Sequence, residues 1–501
     1  MSYLHGAGNS EAATSLTTPT TSSAGLQVIF GTAPIHLAKD PYKAANTPKL
    51  CYKFEECQEA LGYSDDFENF TLCQSMDANF RVYNNSPIVL VNVLDPNKAA
   101  HTTENAEETV TVTGGMATYT KQYVLLPSLV VKNDATPLAA DVDYTAAHDD
   151  DGNVTIVLLS PTAKEATALK ITSKSIKPSG VTKTDVVGGV NSSTNEETGL
   201  EIIRQVYPKF GLVPGLIIAP GWSQDATVAA ALQAKVKQLN GCFDLNTILD
   251  IPANSDGATV YTDCKQAKEK QGFSTNHGIC LWPRVLVGEK KYYFSAMAAA
   301  HTVWLDTSND GVPYESPSNK SLRITGLCLD DGTEVLLDKQ QADDVLGANG
   351  ICTAINVNGF KFWGNNTCAY PSTTDTKDRF WCVRRFFDWD GNNFILTYFQ
   401  KVDKPENRRL VQDIVDSTNI TGSGYVARGY CAGYNMKFLK DENPTTELLA
   451  GHLTVHTYMA PFVPTEYIHN IREYDTDALS TIFSWPIGGI NREYSYQDRQ
   501  V

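Results

Sequence analysis

The chain has 501 residues, 42% of them hydrophobic and 20% charged, and a formal net charge of −16. That length exceeds a single hydrophobic core and predicts two to four domains. The acidic balance disfavours nucleic acid as a partner, because phosphate binding needs clustered Lys and Arg, and no such cluster is present. Taken in chain order, residues 1–25 (MSYLHGAGNSEAATSLTTPTTSSAG) lack the basic and apolar regions of a secretory signal, which leaves synthesis in the cytoplasm as the expectation. They carry too little apolar mass to offset their ordering entropy and read as an extended arm, disordered or ordered by a partner. No later run is apolar over the length of a bilayer, so no direct membrane insertion is expected.

From Leu26 the pattern changes. LQVIFGTAP reads as a short buried strand ended by Gly31 and Pro34, and IVLVNVLDP (88–96) as another. Between them lie a helix near 53–61, stopped by Gly62, and a longer one near 67–83. Residues 100 to about 176 are β-rich segments separated by turn residues. Within them DDDGN (149–153) invites a calcium reading, but it lacks the spaced ligands and distal Glu of a calcium loop. A hairpin turn between Tyr144 and Val154 accounts for it better.

From about 185 strands and helices alternate, which implies a parallel sheet. GLIIAP (215–220), LNTILDIP (245–252) and HGICLWP (277–283) are the strands. Asp225 caps a helix running to Asn240 with Gly241 as its terminating residue, and Val228, Leu232, Val236 and Leu239 line one face. A shorter helix follows near 263–271. In the last third, RFWCVRRFFDWDGNNFILTYFQK (379–401) pairs aromatic-rich strands around the turn DGNN, a stretch part of which also suits a helix. KPENRRLVQDIVDSTN (404–419) is a capped amphipathic helix.

The chemistry-bearing motifs are few. The chain has no phosphate loop, no G-x-G-x-x-G and no G-x-S-x-G elbow. Eleven cysteines without a C-x-x-C pair fit buried reduced thiols rather than a zinc cluster. Of nine histidines only His452 and His456 lie close together, in DENPTTELLAGHLTVHTYMAP (441–461). On a helix that spacing would aim both imidazoles at one metal. Asn443, however, is a good N-cap and Pro444 suits the first helical position, so PTTELLA is the helix and Gly451 its end. The histidines then fall on a strand of period two, with Leu453, Val455, Thr457 and Met459 on one face and His452, Thr454, His456 and Tyr458 on the other. Four residues of strand span about 13 Å, too far for two ligands that must each reach about 2 Å from a zinc ion. No metal, cofactor or catalytic residue is assigned.

Several long stretches nevertheless occur in a recognisable order: QVIFGTAPIHLAKDP (27–41), DVVGGVNSSTNEETGLEIIRQVYPKFGLVPGLIIAPGWS (185–223), GVPYESPSNKSL (311–322), FWGNNTCAYPSTTDTKDRFWCVRRFFDWDGNNFILTYFQ (362–400), ENRRLVQDIVDSTNITGSGYVARGY (406–430) and 441–461. On these the chain resembles the contractile tail sheath proteins of contractile-tail phages and R-type bacteriocins. The resemblance implies a multidomain α/β protein. Its parts are an N-terminal arm (1–25), an N-terminal part of the core (26–99), a β-sandwich-like insertion (100–180), a subtilisin-like α/β domain (181–365), a C-terminal sheath domain (366–483) and a C-terminal arm (484–501). A mixed α+β core is formed by the N- and C-terminal parts. The implied role is structural: hexameric rings of this chain stack around a tail tube protein, between baseplate and terminator proteins, in a virion or tailocin particle assembled in the bacterial cytoplasm.

Terminal arms of neighbours are expected to add strands to a C-terminal sheet, which assigns intersubunit contacts to Ser15, Leu16, Thr17, Thr18, Leu453, Val455, Thr457, Ile468 and Ile471. The helix beginning at Glu406 is the candidate for contact with the tube, through Glu406, Arg408, Arg409 and Gln412; a helix packed on its own core is the competing reading. A non-contractile virion or cell-surface assembly protein is the alternative function. A hydrolase of subtilisin-like fold is a third, but the nearest serine motif, YFSAMAAAH (293–301), puts Ala296 at the nucleophile position and leaves Ser295 as a helix cap.

Overall fold

In the computed structural model, which describes residues 24–483, the first strand forms where the apolar run begins. β1 (Gln27–Gly31) is buried at every position. A short edge strand, β2 (Lys49–Cys51), leads into α1 (Phe54–Leu61), which stops at Gly62 as predicted. Gly62 has φ 75°, and a Cβ there would meet the Pro34 carbonyl oxygen at 2.3 Å. The next helix starts later than predicted. α2 (Thr71–Met76) begins only after Thr71 N has bonded Thr32 Oγ1 (3.2 Å), and it widens into a π turn over Asp77–Tyr83. β3 (Ile88–Asn92) is again buried throughout.

The following residues form two small antiparallel sheets from β4 (Thr102–Thr111), β5 (Met116–Tyr119), β6 (Val130–Asn133), β7 (Tyr144–His148), β8 (Val154–Leu158) and β9 (Ala168–Ile176). One has the order β4-β9-β6 with Thr136–Pro137 at its edge; the other is β5-β8-β7. Both line one hydrophobic cluster, including Tyr119, Val131, Ile156, Leu169 and Ile171, separate from the main core. The acidic DDDGN is the turn of the β7–β8 hairpin: Asp149 Oδ1 accepts from the amides of Asp151 (3.1 Å) and Asn153 (2.8 Å).

The main sheet has eight strands. To β1–β3 are added β10 (Leu216–Ile218), β11 (Asn246–Asp250), β12 (Gly278–Leu281), β13 (Ile351–Asn356) and β14 (Phe360–Trp363), in the order β2-β3-β1-β10-β11-β12-β13-β14. All pairs from β3 to β13 are parallel and the two edge pairs antiparallel. The alternating strands and helices thus give the parallel sheet expected of them. Residues 26–99 also enter the sheet of residues 181–365, which β1 and β3 extend, and the same hydrophobic core takes in Cys368 and Trp381 of the C-terminal part. Strands apolar on both faces have to be covered on both sides, and the centre of a parallel sheet does that.

Helices α3 (Ala226–Lys235), α4 (Cys264–Gln271) and α5 (Phe294–Ser308) connect these strands or pack beside them. Asp225 caps α3 by accepting from Thr227 N (2.8 Å). The helix ends at Lys235 rather than Asn240, because the Val236 carbonyl turns aside to accept from Leu245 N (2.9 Å) and Gln238 and Asn240 take positive φ.

The largest departure is α6 (Trp381–Tyr398), an uninterrupted helix of 18 residues where strands around a DGNN turn are predicted. Its buried Phe386, Trp389, Asn393 and Thr397 recur at helical spacing. The polar residues that signal a turn are instead docking groups. Asn392 exchanges two bonds with the Asp244 backbone (3.0 and 2.6 Å), Asp388 Oδ2 accepts from Asn246 Nδ2 (2.8 Å) and lies 3.0 Å from His277 Nδ1, and Asp390 accepts from the Tyr434 hydroxyl. Asn246 opens β11 and His277 precedes β12, so α6 is fastened to the N-terminal ends of the parallel strands. Burial pushes the Asp390 carboxyl up to about 6 against the opposing bond from Tyr434. A pKa raised on folding means a stability contribution complete below pH about 4 and lost as pH rises through 6. Asp390→Asn is therefore expected to remove on the order of 2–3 kcal/mol of the stability change between pH 4 and 7, leaving the similar contribution of Asp250, also pushed by burial to about 6. Urea unfolding at both pH values measures it; an unchanged difference refutes it.

Beyond α6 come α7 (Arg408–Ala427), β15 (Cys431–Lys437), α8 (Thr445–Leu449) and β16 (His456–Pro461), with β15 and β16 antiparallel. Residues to Pro464 form one compact unit and those from Thr465 a second, which contains α9 (Thr476–Phe483). Ten of the eleven free cysteines are buried, Cys242 being the exposed one. No helix among the described residues is long and apolar enough to cross a membrane.

Candidate assembly surface

The parallel sheet first raises the ligand crevice that α/β folds place at the carboxyl ends of their strands, where strand order reverses. Here that point lies between β1 and β10, and it is filled. A Cβ on Gly31 would lie 2.3 Å from Thr71 Oγ1, and one on Gly221 would lie 2.8 Å from the Tyr293 ring. Beside it, Asp250 at the end of β11 accepts from Ser295 N (2.8 Å) and from its hydroxyl. The N-cap of α5 is Tyr293, so Ser295 is not the cap expected; the buried Asp250 carboxylate from the neighbouring strand does that work. Ala296 is buried one residue further on, and His301 of the same helix stacks against Trp304 and against Phe362 of β14.

The C-terminal elements present a different kind of surface. Asn407 caps α7 through Leu410 N (2.9 Å), as the sequence pattern anticipates, but the helix runs past Asn419 to Ala427. It carries Gly422 where β15 packs across it: a Cβ at 422 would fall 2.0 Å from the Tyr434 ring. Asn419 reaches the same strand, donating to Met436 O (3.0 Å) and accepting from Met436 N (2.7 Å). This occupies the outer edge of β15. Met436 pairs with Thr457, and Tyr434 with Met459. Since the Met436 polar groups face α7, antiparallel alternation turns those of Thr457 and Met459 away from β15. Among the described residues the outer edge of β16 is thus open along a two-stranded sheet.

Side chains along this segment follow the predicted period of two. Leu453, Val455, Thr457 and Met459 are half-buried, and His452, Thr454, His456 and Tyr458 exposed. Leu453 and Val455 pack on Tyr398, Ile414 and Met436 of their own unit, so they shape the strand from beneath. Asn443 is not the cap of α8, whose N-cap is Pro444. It bonds Thr454 at both backbone groups (2.7 and 2.8 Å) and fixes the approach to β16. Each histidine meets a separate carboxylate, His452 with Glu447 (3.0 Å) and His456 with Glu442 (3.1 Å).

Between α7 and α8 runs a groove of about 700 Å³. Val411, Val415, Phe438, Leu448 and Leu449 make it apolar, and Glu406, Arg408 and Gln412 border it. Three of the four residues assigned to the tube therefore line one groove; Arg409 is exposed and stands outside it. The periodicity of α7 locates its half of this groove, while the half from α8 has no signal in the sequence around 406. In the second unit, Ile468 and Ile471 lie on a stretch without regular structure and are 86% and 72% exposed. Ser15, Leu16, Thr17 and Thr18, and the tail 484–501, lie outside the described residues.

No protein-family model matches the chain. It is 27% identical over 503 residues to the tail sheath protein of Burkholderia phage BcepMu, covering 96% of this chain and 98% of that protein. It is 25% identical over 301 residues to the tail sheath protein of Escherichia phage P2, covering 58% and 70% of the two chains. The fold is similar to the contracted sheath complex of an extracellular contractile injection system, PVC, with a TM-score of 0.56 at 13% identity, covering 95% of this chain and 99% of that one. The contracted helical sheath of the anti-feeding prophage gives 0.55 at 13% identity, covering 95% and 100%. The chain is thus a homologue of phage tail sheath proteins.

Proposed function

For a chain homologous along its length to tail sheath proteins, we infer that it is the structural subunit of a contractile sheath, a component of a virion or tailocin particle. Copies stack as hexameric rings around a tail tube protein, between baseplate and terminator proteins, and the sheath shortens to drive the tube through a target envelope. The single observation that carries this reading is the match to the BcepMu sheath protein over 96% of this chain and 98% of that one. In this reading residues 181–365 form a subtilisin-like domain used as scaffold, 100–180 a β-sandwich-like insertion on it, and 366–483 the sheath domain.

The open edge of β16 is the acceptor for a neighbour's terminal arm, held by backbone hydrogen bonds that tolerate sequence. Such links persist while the bodies rotate and slide. Contraction releases a metastable extended state by burying new surface between bodies, and it consumes no nucleotide. The groove beside α7 faces the tube.

Electron microscopy of the full-length chain co-expressed with its tube protein tests the reading. Helical tubes or stacked rings are expected; monomers that ignore the tube would refute it, and sheaths that form but never shorten would point to a non-contractile assembly.

A further inference from the structure

Two histidines meet where the β insertion rests on the main sheet. His36 follows β1 and is buried; His148 ends β7. Their rings stand edge to face with centroids 5.3 Å apart. Around them, Tyr123 of the insertion lies 5.4 Å from His36 and Phe70 of the body 5.5 Å from Tyr123. His36 Nδ1 has no hydrogen-bond partner, and both ring nitrogens of His148 are buried. The contact thus consists of aromatic faces and two uncharged imidazoles. The charged groups facing it are Asp149, next to His148, and Asp66, which accepts from the Tyr123 hydroxyl (3.3 Å). Burial and the His148 imidazole both act against the charge of His36.

The other joint of the insertion is built differently. Where the chain enters and leaves, Lys177 N bonds His101 O (2.7 Å), and Asp185 pairs with Lys98 (2.8 Å) and His101 (3.3 Å). Burial would raise the Asp185 carboxyl, but its bonds from Lys98 and Thr182 outweigh that and hold it well below the usual carboxylate range. This root stays charged and paired in mild acid.

We propose that the His36–His148 contact is an acid-labile latch, which closes the insertion onto the main sheet at neutral pH and releases that corner in mild acid while the root at His101 and Asp185 holds. Burial lowers the His36 pKa from 6.5 to about 3, with His148 adding to the shift, and burial also lowers that of His148. A basic group with a depressed pKa favours the closed form fully above 6.5 and progressively less as pH falls from 6.5 towards 3. For His36 alone, lowering the pH from above 6.5 to 4.5 multiplies the opening equilibrium about a hundredfold.

Amide hydrogen exchange of the full chain at pH 7 and pH 4.5, corrected for the intrinsic rate, tests this. Residues 119–125 and 144–154 are expected to gain more than a hundredfold in opening at pH 4.5, whereas β11, where the Asp250 carboxyl favours the folded form in acid, loses no protection. In the H36Q/H148Q double variant that pH dependence should vanish; in H148Q alone it should shrink but persist through His36. The latch is refuted if wild-type 119–125 and 144–154 follow β11 at both pH values. It is equally refuted if the insertion and main sheet open together, or if the double variant retains the wild-type difference.

Discussion

Replacing Arg385 with alanine is expected to destabilise the folded chain by about 3–5 kcal/mol. Arg385 lies on α6 and Asp306 on α5, and each side chain is 3% exposed. Two bonds join them, one of 3.0 Å from Nη1 to Oδ1 and one from Nη2 to Oδ2. Arg385 also reaches the Ala24 carbonyl (3.4 Å) and lies over the Trp381 ring. The pair therefore ties the C-terminal helices to the main sheet and to the point where the N-terminal segment enters. Burial already raises the Asp306 carboxyl despite its partner. Without the guanidinium the carboxylate is stranded, and breaking such a pair costs more than replacing both members. Guanidinium unfolding followed by the fluorescence of Trp381 and Trp389 measures the loss. The double change Arg385→Met with Asp306→Leu should recover most of it. A loss below about 1 kcal/mol in Arg385→Ala, the ceiling for an ordinary surface pair, would overturn the assignment.

Deleting residues 2–22 is expected to abolish polymerisation and leave a folded protomer. The sequence sets the arm boundary at 25, but Ala24 is only 8% exposed, and its carbonyl accepts from Arg385 and lies against Gly215. A deletion through Ala24 would injure the body as well as the arm, so the cut belongs before it. The proposed acceptor, the outer edge of β16, remains in the truncated chain. Such a protein should keep its circular dichroism and unfolding midpoint, and give no tubes when co-expressed with the tube protein. Tubes of normal length from the truncated chain would remove the N-terminal arm from the assembly mechanism, whatever the fate of the rest of that reading.

Both predictions turn on residues that the sequence placed differently. Apolar runs such as 27–31, 88–92 and 246–250 announce buried strands, because few other environments accept five consecutive buried residues. The alternation from Leu453 to Met459 is equally legible, since a sheet with one covered face requires it. From it the candidate edge could be located without coordinates. α6 was not legible. Asp390, Gly391, Asn392 and Asn393 have the composition of a turn, and only their partners in other elements, Tyr434 and Asp244, make a buried helix of them. The groove likewise needs Val411 and Val415 of α7 beside Leu448 and Leu449 of α8, a juxtaposition that neither helix encodes alone.

The sequence by itself determined the local elements with a strong period or an apolar run, the acidic surface, and the order of segments that resembles tail sheath proteins. Tertiary structure decided which elements share a sheet, which polar residues are docking groups, and which edge stays open. The physical reason is that periodicity reports only whether a residue is covered. What covers it depends on contacts far apart in the chain, as between Arg385 and Asp306, Asn419 and Met436, or His36 and His148.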